Sequence, residues 1–142
     1  MNKAMIDAMI PRAYEQLAVC KIANNGTVQG TFRGQIAAFG ASVAMGSLLS
    51  AVAFFSTKGG STVERPRLMQ AIFGLLQVPN EALNETVRKA EASQQLYQYV
   101  AGNPDDAALR ERVLCAAVAL KLAMNLYTRV DSTSKPDGGV SA

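Results

Sequence analysis

From Gly34 to Thr57 the chain carries no charged residue. The stretch opens after Arg33, closes at Lys58, and reads GQIAAFGASVAMGSLLSAVAFFST. A bilayer span takes about 20 mostly apolar residues, so length alone permits one. Composition points elsewhere. Gln35, Ser42, Ser47 and Ser50 interrupt the run together with Gly34, Gly40 and Gly46, and many of the remaining residues are alanines. Neither an aromatic belt nor strong flanking positive charge is present. A helix over roughly Thr31 to Ser56 would show three faces. Ala41, Met45, Leu48, Val52 and Phe55 form one apolar stripe; Ile36, Phe39 and Val43 form a second. Gln35, Ser42, Gly46, Ser50 and Thr57 form a third that is small and weakly polar. Such a helix belongs at the centre of a water-soluble bundle. A membrane span is the lesser alternative, left open by the spacing of small residues.

Helical periodicity extends over most of the remaining chain, with no sustained strand-type alternation. A first helix is expected over about Lys3 to Ala23, with Pro11 opening or kinking it and Ala13, Leu17 and Cys20 on its inner stripe. Asn25-Gly26 reads as its stop. A third helix runs from about Glu64 to Val78, with Leu68, Ile72, Leu75 and Leu76 as its apolar face. Asn80 is positioned to cap a fourth over Glu81 to Ala101. Gly102-Asn103-Pro104-Asp105-Asp106 separates it from a fifth that runs to about Val130, with the two acids at its positive end. The expected architecture is all-α: a compact bundle of about five helices with one long central apolar helix. Residues 1–130 make a single domain and 131–142 a flexible C-terminal tail.

Hydrophobic residues are 49% of the 142, enough for a core without crosslinks. The chain contains no histidine, and Cys20 and Cys115 lie far apart. This removes the commonest general base and the usual zinc ligand sets. No nucleophile motif is present, and the N-terminal run is too interrupted for a signal peptide. The expectation is a cytoplasmic protein that is not an enzyme and holds neither cofactor nor metal.

The net charge of +3 is compatible with a polyanion partner without requiring one. Thr57 to Thr62 is basic and glycine-rich and precedes a helix, an arrangement suited to receiving one phosphate, although it lacks the order of a nucleotide-binding loop. Lys58, Arg65 and Arg67 cluster around it. Arg110 and Lys121 share nearly one helical angle, about 16 Å apart at 1.5 Å per residue. Lys21 and Arg33 flank the Asn25-Gly26 turn. These seven residues are the candidate contacts to a nucleic-acid backbone. No interleaved aromatics suggest base stacking, so the expected contact is to phosphates.

Three stretches carry a family resemblance. IPRAYEQL (Ile10 to Leu17), FRGQIAAFGASVAMGSLLSAVAFFSTK (Phe32 to Lys58) and RPRLMQAIFGLL (Arg65 to Leu76) together resemble the small all-helical subunit of the CRISPR type III-B (Cmr) effector complex. The likeness covers roughly Ile10 to Val78. The family's Gly-Leu element falls here on Gly46-Ser47-Leu48, a small departure. The resemblance implies a non-catalytic subunit of an RNA-guided antiviral ribonucleoprotein. Such a subunit stacks with copies of itself in a short filament, contacts other subunits and lines the groove that holds guide and target RNA. The alternative is a helical adaptor that binds only protein.

Overall fold

The computed structural model describes residues 2–59 and 64–130. Gly60, Ser61 and Thr62 of the glycine-rich loop lie outside the described residues, as does the tail expected over 131–142. Among the described residues the chain forms seven α-helices and a small three-stranded sheet. In order these are α1 (Lys3–Val19), β1 (Ala23–Asn24), β2 (Thr27–Gln29), α2 (Gly30–Met45), α3 (Leu48–Phe55) and α4 (Pro66–Leu76). After them come α5 (Glu85–Lys89), α6 (Gln95–Ala101), α7 (Ala107–Met124) and β3 (Thr128–Val130). The fold is thus mostly α-helical, as expected, but its helices are divided differently.

The uncharged stretch is two helices, not one. Gly46 leaves the helical conformation (φ −135°, ψ −136°), and its N–H still reaches the Ser42 carbonyl at 2.9 Å. Ser47 then caps α3, its hydroxyl accepting from the Ser50 N–H at 2.9 Å. Glycine is a poor helix interior residue and serine a strong N-cap, so this pair favours a break. The break lets Leu48, Ala51, Val52 and Phe55 turn inward, where α3 packs on α2, α4 and α6. Phe39 and Phe55 meet edge-to-face at 5.3 Å across the junction.

The central helix is α7. It buries Leu109, Val113, Leu120 and Met124 together with the small residues Cys115, Ala116, Ala117, Ala119 and Ala123, and it packs against α1, α2 and α4. Small side chains let several neighbours approach it closely. By contrast α2 buries Phe32, Ile36, Phe39 and Val43 and leaves Ala37, Ala38, Ala41, Ser42 and Ala44 exposed. Met45, expected on an inner stripe, is 88% exposed.

Three further boundaries differ from expectation. First, α1 ends at Val19, with Pro11 inside it, and closes with a left-handed residue at Lys21 (φ +61°) and an Ile22 N–H bond to the Leu17 carbonyl at 2.9 Å. Asn25-Gly26 is instead the two-residue turn of the β1–β2 hairpin. Both its residues have positive φ (+54° and +77°), which suits the twist of paired strands. Second, the helix expected over 81–101 is interrupted: Ala90 and Glu91 are extended, and Asn84 rather than Asn80 caps α5 through the Val87 N–H at 3.0 Å. Between Val87 and Leu96 the sequence offers no large apolar residue to hold a helix to the core. Third, Asp106 caps α7, accepting from the Leu109 N–H at 2.9 Å, and α7 ends at Met124 rather than near Val130. The chain then joins the sheet, with β3 pairing parallel to β2.

Removing the cap that makes the break reports on it directly. Ser47→Ala is expected to lower stability by about 1 kcal/mol, read as a lower urea midpoint with an unchanged denaturant slope.

Candidate nucleic-acid interface

The last carbonyls of a helix have no partner within it and carry partial negative charge. Arginines from elsewhere in the chain supply partners here. Arg67 Nη1 donates to the Lys21 carbonyl after α1 at 2.9 Å. Arg110 Nη2 donates to Val43 at the end of α2, also at 2.9 Å. Arg65 Nε donates to Thr57 after α3 at 2.9 Å, and Arg112 donates to Leu76, the last residue of α4. Arg33 Nη2 donates to Met124, the last residue of α7, at 2.8 Å, and its Nη1 reaches the Asn125 side chain. Arg33 lies in the first turn of α2 and Arg110 in the first turn of α7. The two helices therefore clamp each other's C-termini.

Four of the seven candidate contacts gather at one place. Lys21, Lys58 and Arg67 line a cleft of about 710 Å³ between the ends of α1 and α3 and the start of α4. Arg65 stands beside it through its bond to Thr57. Glu64 partly offsets this charge, lying 3.9 Å from Lys58 Nζ and 3.6 Å from Arg67 Nη2. Glu91 is also on the rim. Ser56, 5% exposed, lines the same cleft, and its hydroxyl has no partner among the described residues.

The remaining three lie elsewhere. Arg33 turns to the end of α7. Arg110 and Lys121 do not act as an open pair of cations: Arg110 is bonded to α2. Lys121 is exposed at the rim of an apolar groove between α2 and α7, floored by Ile36, Gly40 and Ala117.

Two residues were missed by sequence reasoning. Arg112 has no distinctive pattern in the sequence. Phe54 did leave a signal. The inward residues of α3 follow the spacing Leu48, Val52, Phe55, which places Phe54 off the stripe; it is 59% exposed with the Arg65 guanidinium 4.1 Å above its ring.

Burial pushes the Cys20 thiol up to about 11, so it is protonated at neutral pH and no nucleophile for the cleft it lines. Among the described residues, no group of three or more histidine, cysteine or acidic side chains is placed to hold a metal ion. No helix among them is long and apolar enough to cross a membrane. Compared with known proteins, the chain matches no family model, no curated protein and no solved structure.

Clamp and surface cation should separate on mutation. Arg110→Ala removes a charged hydrogen bond and is expected to cost roughly 1.5–3 kcal/mol, whereas Lys121→Ala should stay within about 0.5 kcal/mol of the parent. Thermal and urea unfolding of the two variants make the comparison. Alkylation of Cys20 in the native protein should be slow at neutral pH and accelerate only as pH climbs toward 11.

Proposed function

We propose that this chain is a non-catalytic small subunit of a type III-B RNA-guided effector complex, acting in the cytoplasm. In this role it contacts RNA phosphates through its lysine-bearing cleft and packs against neighbouring subunits, copies of itself included, along α2. The observation that carries this reading is the division of its surface. One part is a cleft with Lys21, Lys58 and Arg67. Another is α2, which presents Ala37, Ala41, Ser42 and Met45 to solvent within a stretch free of charge. A polyanion suits the first surface, and a protein neighbour suits the second. The resemblance over Ile10 to Val78 supports the same assignment.

The exposed α2 face also favours a second reading, an adaptor that binds only protein. Charge reversal of Arg110 cannot separate the two, because it would break the clamp on α2. Lys21 and Lys58 are exposed, and their side chains are free of backbone hydrogen bonds among the described residues. They are therefore the residues to reverse.

Single-stranded RNA should bind at low salt and weaken by roughly tenfold between about 50 and 200 mM salt, as two or three phosphate contacts require. The double variant Lys21→Glu/Lys58→Glu should bind more weakly and with a flatter salt slope. Binding that is absent at low salt, or indifferent to salt and to the double variant, would leave the adaptor reading. Purification of the native assembly should bring down RNA together with several larger proteins.

A further inference from the structure

We propose that the notch beneath Phe54 receives an unpaired base of single-stranded RNA, stacked on the Phe54 ring. The proposal rests on the RNA-binding reading above and adds to it a contact with a base.

The notch has a volume of about 410 Å³ and lies between α2 and the end of α3. That falls within the range of about 300–1,000 Å³ typical of small-molecule sites. Gly34, Gln35 and Ala38 of α2 form its floor, and Phe54 and Arg65 form its wall. Phe54 is 59% exposed, so part of its ring is open to a ligand. The Arg65 guanidinium lies 4.1 Å from the ring centroid and is held there by its bond to the Thr57 carbonyl. The guanidinium covers one face of the ring, and an unpaired base would stack on the face left open, as bases do on aromatic side chains.

The polar groups suit a base better than an apolar side chain. Gln35 lines the notch, and its Oε1 is shielded from water with no hydrogen-bond partner among the described residues. A base N–H in the notch would give that acceptor the partner it lacks once the amide turns toward it. Arg65 adds positive charge beside the stack, and Lys58 follows Thr57 directly, so a phosphate attached to the base would find cations nearby. The floor is open because Gly34 has no side chain. A Cβ built there meets nothing within 4 Å, so a larger residue at 34 would occupy the notch without disturbing the core.

Two fluorescein-labelled probes of equal length test this: an oligoriboadenylate and an abasic oligomer with the same phosphates. The parent protein should bind the adenylate about tenfold more tightly than the abasic oligomer. Phe54→Ala and Gly34→Leu should each erase that difference while leaving abasic binding and its salt slope unchanged. Phe54→Tyr should retain it. Because Gly34→Leu replaces glycine in the middle of a helix, it should fold at least as stably as the parent, which keeps the comparison independent of any loss caused by Phe54→Ala. Equal binding of the two oligomers by the parent overturns the stacking proposal and leaves the phosphate reading standing. Binding of neither oligomer at low salt overturns both. Variants at Phe54 and Gly34 that keep the adenylate preference but lose association with another protein chain assign the notch to a protein contact and overturn the proposal.

Discussion

Among the described residues, arginines from other parts of the chain bind carbonyls at or just past five helix C-termini. Val43, Leu76 and Met124, in the last turns of α2, α4 and α7, accept from Arg110, Arg112 and Arg33, while Lys21 and Thr57, two residues past α1 and α3, accept from Arg67 and Arg65. A helix end has no internal donors for these groups, and a guanidinium supplies both donors and a charge of the sign the helix dipole favours. The pair Arg33 and Arg110 shows what this makes possible. Two antiparallel helices place the first turn of one beside the last turn of the other, so each contributes an arginine to its partner's end. The clamp also serves the break after Met45, where Arg110 gives the Val43 carbonyl near that new helix end a charged donor.

These clamps redistribute the molecule's charge. Arginines bound to carbonyls are anchored at helix junctions and fix geometry. Lys21, Lys58 and Lys121 remain exposed at the surface. The cationic cleft is therefore smaller than a count of basic residues suggests, and Glu64 and Glu91 reduce its charge further. The uncharged run divides between two environments. Six of its large residues (Ile36, Phe39, Val43, Leu48, Val52 and Phe55) are buried, while Met45, Phe54, most of its alanines and the serines at 42 and 50 face outward. The small stripe of Ser42, Gly46 and Ser50 is a surface, not an internal contact. A surface of small, uncharged residues permits close approach by another chain, and Phe54 interrupts it with a ring next to a guanidinium.

Much of the fold was legible from local chemistry. The inner residues of α1 and α4 could be read from their spacing, since Ala13, Leu17 and Cys20 and then Leu68, Ile72, Leu75 and Leu76 are all buried. Boundaries were less legible. Asn80, Asn84, Asn103 and Asp106 are all chemically able to cap a helix, and which of them do so depends on where the following apolar residues can reach the core. The small sheet left no alternation to detect because its strands are two or three residues long. Of the candidate site, the grouping of Lys58, Arg65 and Arg67 was visible as sequence proximity. The joining of Lys21 to them was not, because it needs the end of α1 to meet the start of α4.

The sequence by itself determined that this chain is helical, that it carries a long uncharged segment, and that it lacks the histidines on which much acid–base and zinc chemistry relies. These follow from residue type and spacing, which act over a few neighbours. The tertiary structure decided which helix is central, where the uncharged segment breaks, and which cations remain at the surface. An arginine's partner can lie 91 residues away, as for Arg33 and Met124. Whether that guanidinium meets a carbonyl or water is settled only when the two helices are laid side by side.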